Sequence, residues 1–364
     1  MKLEDLLKIM VEKDASDLHI KAGSPPYFRI NKELTPYGEK KFTPEETKEL
    51  AFSILQEKLR SHFEDTHDLD ISYGVSGLGR FRINLYQQRG SVGMVIRRVK
   101  TEILSFEELN LPPILKKISL FERGLVLVCG AAASGKSTTL AAMIDYINSH
   151  RRYHIITIED PIEFLFQDKN SIITQREVQL DTLSFTSALR HVIRQDPNVI
   201  MIGELRDPES FKIAVNAAET GHLVLSTLHA VDSSQVINRI LDFFPPSEHY
   251  QIRTQLSLNL KATIVQRLCQ RKDKPGLIPA VEVMIVNLTI ARLIRENKIE
   301  RIPAAIQAGR EEGMITFNQS LLKLIKEGKI SLEEGMAKSS QPEMLEMALK
   351  GIMLDEEKQI LGEF

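Results

Sequence analysis

The stretch that decides the fold runs from Leu125 to Asn148 and reads LVLVCGAAASGKSTTLAAMIDYIN. Its first five residues are apolar, which predicts a buried strand. Apolar residues then recur at helical spacing, so Ser137 to Asn148 is predicted to be a helix. Between them, Gly130 to Thr138 matches G-x-x-x-x-G-K-[ST] in the strand–loop–helix setting that this motif requires. The sequence therefore predicts a phosphate-binding loop.

The chemistry of this loop follows from its backbone and two side chains. Backbone N–H groups and a helix N-terminus attract phosphate. Lys136 is expected to reach the β- and γ-phosphates and Ser137 to supply an oxygen to Mg²⁺, so ATP and Mg²⁺ are the predicted ligands. A glycine turn that only starts a helix is the alternative. The residues predicted to bind the nucleotide here are Gly130, Ala133, Ser134, Gly135, Lys136, Ser137 and Thr138.

Three more apolar runs resemble the strand before the loop. They span Ile155 to Glu159, Val199 to Gly203 and Leu223 to Thr227, and helical segments alternate with them. Near-continuous apolar strands are buried on both faces, as in parallel sheets, so the fold class is predicted to be α/β. After about Asp232 the chain is expected to be almost entirely helical.

Glu204 follows the apolar run that ends in Gly203. This is the Walker B pattern, and in parallel α/β sheets the carboxyl ends of the strands face the ligand. A carboxylate there can polarise an attacking water, so Glu204 is the predicted catalytic acid–base group. The alternative is a solvated acid at the end of a strand.

Three acidic residues follow the strand that comes next after the loop's helix, namely Glu159, Asp160 and Glu163. Carboxylates suit the binding of Mg²⁺ or the positioning of water. Glu159 is therefore predicted to bind the nucleotide, and Glu163 to act in catalysis and on Mg²⁺. A charged surface loop is the alternative.

Two histidines bracket the run from Leu223 to Thr227. His229 follows the carboxyl end of this run and is predicted to hydrogen-bond the γ-phosphate. His222 lies at the other end and is predicted, less directly, to bind the nucleotide. For either residue the alternative is a structural histidine whose hydrogen bonds are satisfied within the fold.

The residues before the loop have a different pattern and predict a separate α+β domain. Apolar residues from Leu3 to Val11 predict an opening helix, and a second helix is predicted from Thr43 to about Phe63. The predicted domain covers residues 1–100, residues 101–112 form a linker, and residues 113–364 form the second domain. The predicted strands of the first domain are Asp17–Ile20, Tyr27–Ile30, Asp68–Tyr73, Gly79–Gln87 and Ser91–Val99.

The first domain also contains a group of arginines. Arg82 and Arg97 fall on neighbouring predicted strands, and Arg80, Arg89 and Arg98 lie nearby. A solvated strand face or a weak anion patch is one interpretation. The other is that Arg82 and Arg97 act on a nucleotide as arginine fingers.

Charge and composition exclude several other classes. The formal net charge is −2, which argues weakly against nucleic acid as a partner. The two cysteines, Cys129 and Cys269, cannot form a four-ligand zinc site. No apolar run reaches the ~18 residues that span a bilayer, so a cytoplasmic location is expected.

In this order, the motifs resemble those of the type II and type IV pilus secretion ATPases. The resemblance implies a PAS-like first domain, a RecA-like P-loop ATPase domain with a helical C-terminal region, a hexameric ring, and arginines 82 and 97 acting on the nucleotide. It also implies a pilus platform protein and the pilin system as partners at the inner face of the cytoplasmic membrane. The matching segments are Ala15–His19 (ASDLH), Ile158–Phe164 (the Asp box), Ile202–Asp207 (Walker B), Gly221–His229 (the His box), Gln266–Leu268 and Gly313–Met314.

Within that family the retraction motors are the most similar subtype. Thr289 to Glu296 resembles their A-I-R-N-L-I-R-E motif, although Ala291 and Arg292 depart from it. Assembly motors of the family usually carry a longer N-terminal region and often a four-cysteine metal insert. This sequence has neither feature, which favours a retraction motor. The family loop G-P-T-G-S-G-K-S-T also departs, because Ala131 to Ala133 replace P-T-G. If position 133 needs a positive φ, alanine adds roughly 1–2 kcal/mol of strain.

The predicted function is a hexameric, Mg²⁺-dependent ATPase that powers retraction of type IV pili. An assembly or secretion ATPase is the alternative within the same class. A nucleotide-binding scaffold with negligible turnover and a nucleic-acid translocase are alternatives of other classes. The three alanines in the loop favour the scaffold, because strain there would slow or weaken the handling of nucleotide. The near-neutral charge argues weakly against the translocase.

Overall fold

The computed structural model describes residues 2–30, 33–99 and 101–351. The chain divides into two compact units. The first unit comprises residues 1–102 and 161–165, and the second comprises residues 103–160 and 166–364. The short segment 161–165, which the sequence pattern left inside the second domain, thus groups with the first unit.

The first unit is built on a six-stranded antiparallel sheet in the order β3-β2-β1-β6-β5-β4. Alternate residues of its strands, such as Leu18, Phe28, Ile83 and Ile96, are buried in one apolar cluster. The elements are α1 Leu3–Glu12, β1 Asp17–Ile20, β2 Tyr27–Ile30, β3 Glu33–Pro36, α2 Pro44–Phe52, α3 Glu57–Thr66, β4 Asp68–Val75, β5 Gly79–Gln88 and β6 Ser91–Arg98.

The helix predicted from Thr43 to Phe63 is instead two helices, α2 and α3. Its start is as predicted, because Thr43 caps α2 and exchanges hydrogen bonds with Glu46. Its middle is broken, and the Arg60 guanidinium donates to the carbonyls of Phe52 and Leu55. A side chain from α3 thereby bonds to carbonyls at and just after the end of α2, where helical hydrogen bonding stops.

The second unit is built on a seven-stranded sheet in the order β13-β12-β7-β11-β10-β8-β9. All neighbouring strands are parallel except the hairpin of β12 and β13. The elements are α4 Ile114–Ser119, β7 Gly124–Cys129, α5 Lys136–His150, β8 His154–Glu159, β9 Ile172–Glu177, α6 Phe185–Val192, β10 Val199–Ile202, α7 Pro208–Glu219, β11 Leu223–Leu228, α8 Ser233–Leu241, α9 His249–Asn259, β12 Leu260–Gln270, β13 Leu277–Ile285, α10 Leu288–Arg295, α11 Ile302–Ala308, α12 Phe317–Lys326, α13 Leu332–Lys338 and α14 Pro342–Leu349.

Both faces of this sheet are buried, which explains its uninterrupted apolar strands. Along β7, Leu125, Leu127 and Cys129 belong to one core cluster, while Val126 and Val128 belong to another. Successive side chains of a strand point to opposite faces, so each cluster fills one side of the sheet. The predicted α/β class with a parallel sheet is confirmed.

The prediction that the chain is almost entirely helical after Asp232 is wrong. The strands β12 and β13 lie there, and β12 pairs in parallel with β7, so that Val265 lies beside Cys129. Helix α9 runs directly into β12 at Leu260, without a glycine or proline between them. Short apolar runs do not distinguish a buried strand from a buried helix, so local periodicity could not reveal this change.

A helix that crosses a bilayer needs a long apolar stretch. Within residues 2–30, 33–99 and 101–351, no helix combines the length and the apolar character needed to span a membrane.

Candidate active site

Four neighbouring parallel strands of the second unit end at the same edge of the sheet, in the order β7-β11-β10-β8. The loop from Gly130 to Gly135 follows β7, His229 follows β11, Glu204 follows β10, and Glu159 ends β8. In parallel α/β sheets ligands bind beyond the carboxyl ends of the strands. The structure therefore brings these predicted residues to one edge, where a phosphate-bearing ligand is expected.

The loop after β7 has a backbone that only certain residues adopt without strain. Gly130 and Gly135 have φ values of 147° and 90°, and α5 begins at Lys136. A Cβ atom on Gly130 would lie 2.4 Å from Ser134 Oγ and 2.6 Å from the Gln266 carbonyl oxygen. Glycine is needed at position 130 for both reasons, its positive φ and the close approach of its neighbours.

Polar groups of the loop are arranged as a phosphate site requires. Lys136 Nζ donates to the carbonyls of Gly130 and Ala131, at 3.0 and 2.9 Å. Within the described part of the chain, the buried hydroxyl of Ser134 has no hydrogen-bond partner. Ser137 and Thr138 lie in the first turn of α5, whose N-terminal N–H groups attract anions. The residues present therefore fit a bound phosphate.

Glu204 and His229 contact each other at the same edge. Glu204 Oε1 lies 3.2 Å from His229 Nε2, and Arg206 Nε donates to Glu204 Oε2 at 2.7 Å. The ends of the two strands are also linked, because Thr227 Oγ1 donates to the Gly203 carbonyl at 2.7 Å. These contacts hold the Glu204 carboxylate and the His229 imidazole as a pair, which sequence spacing alone did not predict.

The acidic residues after β8 do not share one environment. Glu159 is buried, and its Oε1 accepts hydrogen bonds from Thr157 Oγ1 at 2.7 Å and Gln175 Nε2 at 3.1 Å. These bonds fix Glu159 within the strand ends, where its position suits support of the site more than direct contact with a ligand. Glu163 belongs to the segment 161–165 of the first unit, and its predicted role stays a prediction.

The structure separates His222 from the other predicted residues. It precedes β11, and the neighbouring Leu223 pairs with Gly124 at the start of β7, so His222 lies at the opposite edge of the sheet. Its Nδ1 lies 2.9 Å from the Ala217 carbonyl oxygen and 3.2 Å from Thr220 Oγ1. His222 therefore ties the end of α7 to β11, and its position contradicts the predicted contact with the nucleotide.

Gln266 of β12 supports the phosphate loop, although sequence reasoning assigned it no role. Its buried amide donates from Nε2 to the Ser134 carbonyl at 2.7 Å and accepts from Thr139 Oγ1 at 2.9 Å. One side chain thus holds both the loop and the first turns of α5. The available signal was the family-like triplet Gln266–Leu268, whose place in a strand beside β7 could not be read from spacing.

Arginines of the first unit form a row across its sheet. Arg82 pairs directly with Arg97, Arg97 with Asp17, and Asp17 with Arg29, so their side chains share one face. Arg97 Nε donates to Asp17 Oδ1 at 2.8 Å. Burial alone would raise the pKa of Asp17, but hydrogen bonds from Ser16 and Arg97 and the charges of both arginines beside it lower it. An ionised Asp17 therefore holds the Arg97 side chain in place. The cross-strand pair of Arg82 and Arg97 puts two positive charges directly opposite each other, which is unfavourable.

Within the described part of the chain, the protein side chains alone do not make a metal site. Across the described residues, no three His, Cys, Asp or Glu side chains are grouped so that they could hold a metal ion. Mg²⁺ usually binds through one or two protein groups together with phosphate oxygens and water. The Ser137 hydroxyl at the start of α5 fits that pattern and would hold Mg²⁺ together with the phosphates of a nucleotide.

Comparison with known proteins adds an independent observation. The family model described as "Type II/IV secretion system protein" matches residues 90–358, which is most of the chain. The chain belongs to this family. The membership predicted from the Asp box, Walker B and His box motifs is therefore confirmed.

Members of the type II/IV secretion family with pilus functions are similar to this chain along nearly its whole length. Type IV pilus ATPase PilU of Pseudomonas aeruginosa is 44% identical, over 96% of this chain and 92% of its own. Type IV pilus retractation ATPase PilT of the same organism is 41% identical, over 94% and 99%. The crystal structure of the pilus retraction motor PilT with bound ADP has 45% identity, a TM-score of 0.88, and coverage of 95% and 99%.

Ala133 is the last of the three alanines that replace P-T-G of the resembled loop, so it stands where that loop has glycine. Its φ is 58°, in the left-handed region. A non-glycine residue in this region carries roughly 1–2 kcal/mol of strain. Position 133 thus has the positive φ at which alanine is strained, and this strain lies inside the phosphate loop.

Ala133→Gly is expected to relieve this strain and to tighten MgADP binding severalfold. The gain in folding stability is expected to be about 1 kcal/mol or less, because glycine also adds entropy to the unfolded chain. Titration calorimetry with MgADP and thermal unfolding measure the two effects. Ala132→Gly is the matched control, because φ at Ala132 is not positive. Equal unfolding temperatures for the two variants would contradict strain at position 133.

Proposed function

We propose that this protein is a Mg²⁺-dependent ATPase motor that powers the retraction of type IV pili. The observation that carries the ATPase activity is the pairing of Glu204, which follows β10, with His229, which follows β11, the strand between β10 and the phosphate-loop strand β7. The similarity to PilT along 94% of the chain supports pilus retraction as the work performed.

In this proposal the phosphate loop binds ATP and the paired side chains act on it. Lys136, which donates to two loop carbonyls, exchanges them for the β- and γ-phosphate oxygens. Glu204 accepts a proton from a water that attacks the γ-phosphorus, while the bond from that phosphorus to the ADP oxygen breaks. Bound Mg²⁺ supplies positive charge that offsets the charge developing on the phosphates.

The remaining side chains orient these groups. Arg206 donates to Glu204 Oε2, which leaves Oε1 toward His229, so the carboxylate has a fixed orientation. His229 hydrogen-bonds the γ-phosphate and thereby distinguishes ATP from ADP. Glu163 is proposed to act with Ser137 toward Mg²⁺, because carboxylates suit the binding of this ion. Glu159 supports the strand ends through its hydrogen bonds to Thr157 and Gln175.

We further propose that Arg82 and Arg97 stabilise the negative charge that develops on the nucleotide. Two adjacent arginines are unfavourable unless an anion offsets them, and Asp17 neutralises only part of their charge. Arg82→Ala is expected to slow phosphate release at least about tenfold, while MgADP affinity changes little. Arg89→Ala removes a charge from the turn between β5 and β6 and is the control. Phosphate release by Arg82→Ala at the rate of the natural sequence would show that these arginines are only a solvent-exposed face of the sheet.

The working assembly in this proposal is a homo-hexameric ring at the inner face of the cytoplasmic membrane. Its partners are the inner-membrane platform protein of the pilus and the pilin system, and nucleic acid is not among them. The net charge of −2 agrees with the latter, because proteins that bind nucleic acid nonspecifically carry basic patches.

One experiment tests the activity together with its direction. The gene is deleted in its host and replaced with either the natural sequence or Lys136→Ala. We expect the deletion and Lys136→Ala strains to keep long surface pili that do not shorten, and the natural sequence to restore shortening. Strains without any pili would favour an assembly motor. Normal shortening would leave another ATPase function in the pilus system as the second candidate, since Type IV pilus ATPase PilU is 44% identical to this chain.

The purified protein supplies the second half of the test. Phosphate release is measured at rising protein concentration, and the rate per subunit is expected to increase as rings form. A rate indistinguishable from the Lys136→Ala background at every concentration would instead support a nucleotide-binding scaffold.

A further inference from the structure

Arg267 of β12 lies next to Gln266 but faces away from the phosphate loop. Gln266 holds Ser134, whereas the Arg267 guanidinium lies 4.1 Å from the centre of the Phe317 ring, at the start of α12. Neighbouring residues of a strand point to opposite faces of the sheet. Gln266 therefore contacts the phosphate loop on one face, and Arg267 contacts the C-terminal helices on the other.

The guanidinium of Arg267 joins two segments that are distant in sequence. Its Nη2 donates to the Val231 carbonyl at 2.9 Å and to Ser340 Oγ at 2.7 Å, and its Nη1 donates to the Lys338 carbonyl. Val231 lies two residues after His229, while Lys338 and Ser340 lie at the junction of α13 and α14. Three directed hydrogen bonds from one rigid, planar group fix the distance between these segments.

Carboxylates lie near the partly buried charge of Arg267. Burial lowers the pKa of Arg267, and the nearby carboxylates of Glu282 and Asp232 oppose that shift. Asp232 also caps α8 by accepting from the backbone N–H of Gln235 at 2.8 Å. The short loop from His229 to Asp232 is therefore held at its far end by a helix cap and at Val231 by Arg267.

The junction at the other end of Arg267 is bonded to α12. Ser339 Oγ donates to Asn318 Oδ1 at 2.7 Å, and Asn318 Nδ2 donates to the Gln341 carbonyl at 3.1 Å. The side chains of Leu321, Leu324 and Leu345 also share one buried cluster. Helices α12 to α14 are thus connected as a single group, which is here called the C-terminal helical group.

We propose that Arg267 is a positioning residue that couples the nucleotide state sensed at His229 to the C-terminal helical group. A contact between His229 and a γ-phosphate shifts the loop to Val231, and the guanidinium transmits this shift to Lys338 and Ser340. This inference rests on the proposed function, because it requires His229 to distinguish ATP from ADP.

A tryptophan reporter tests the coupling in the full chain. The protein contains no tryptophan, so Phe317→Trp places a single indole against the Arg267 guanidinium. We expect its fluorescence to differ between MgADP and MgATPγS. In the double variant with Arg267→Met this difference is expected to disappear, while both nucleotides still bind. The double variant with Arg239→Met, which removes an exposed arginine from α8, is expected to retain the difference.

Calorimetry of the variants without the reporter gives an independent measurement. The ratio of the MgADP to the MgATPγS dissociation constant is expected to fall at least about fivefold in Arg267→Met, the lower end of typical coupling between sites. A purely structural role would lower the melting temperature and leave this ratio unchanged. An unchanged ratio in Arg267→Met, or a reporter difference that survives this substitution, would overturn the coupling.

Failure of the coupling can be distinguished from failure of the proposed function. Phosphate release by the natural sequence, with an unchanged ratio in Arg267→Met, removes the role of Arg267 and leaves the ATPase. If the natural sequence releases no phosphate but the ratio of dissociation constants still depends on Arg267, the motor activity is ruled out. The protein would then be a nucleotide sensor that is coupled to the C-terminal helical group.

Discussion

Glu204→Gln is expected to bind MgATP as tightly as the natural sequence and to release phosphate at least about a hundredfold more slowly. General bases contribute 10²–10⁴-fold in rate, and an amide cannot accept the proton of the attacking water. Glutamine keeps the size of the side chain and can still hydrogen-bond His229, so the loss reports chemistry and not folding. Single-turnover phosphate release and equilibrium nucleotide binding measure the two quantities separately.

The matched control for this prediction is Glu209→Gln. Glu209 is an exposed acid of α7 that pairs with Arg190, so its loss removes a carboxylate near the same strand end without touching the site. Its turnover should equal that of the natural sequence. Turnover in Glu204→Gln within a few-fold of that value would show that another group accepts the proton.

Gln266→Leu is expected to weaken MgADP and MgATP binding by roughly ten- to a hundredfold. Leucine has a similar volume but leaves the Ser134 carbonyl and the Thr139 hydroxyl without their partner, at about 1–3 kcal/mol for each unsatisfied buried group. Part of that free energy appears in binding, because a loop that is no longer held in place must be ordered by the nucleotide, and each 1.4 kcal/mol corresponds to about tenfold in affinity.

Gln270→Leu is the control for this substitution, since Gln270 is an exposed glutamine four residues later on the same strand. Binding is measured by calorimetry and stability by thermal unfolding. If Gln266→Leu unfolds at a lower temperature but binds nucleotide as well as Gln270→Leu, then Gln266 supports the fold and not the phosphate loop.

Local patterns predicted those parts of the site that depend on neighbouring residues. The strand, loop and helix from Leu125 to Asn148 are all found, and Glu204 and His229 follow strands as expected. Their direct contact was not predictable, because it depends on β10 and β11 being neighbours in the sheet. Strand order is a property of the whole fold and not of any short segment.

Two of the predictions that were wrong or incomplete depended on how strands pair. Helical character was expected after Asp232, and the pairing of β12 with β7 and β13 makes that segment a strand. His222 was included because it stands beside the same apolar run as His229, although the sequence already put it at the other end of that run, which lies at the opposite edge of the sheet. The row of Arg82, Arg97 and Asp17 likewise becomes visible only once the register of the strands is known.

The place of β12 beside β7 has a consequence for synthesis of the chain. The loop after Cys129 leaves the ribosome early, whereas its support, Gln266, is made more than a hundred residues later. At typical rates of translation of about 5–20 residues per second, Gln266 is synthesised on the order of ten seconds after the loop. A nascent or truncated chain ending before β12 would hold nucleotide poorly. The order of synthesis thus delays ATP turnover until most of the second unit has been made.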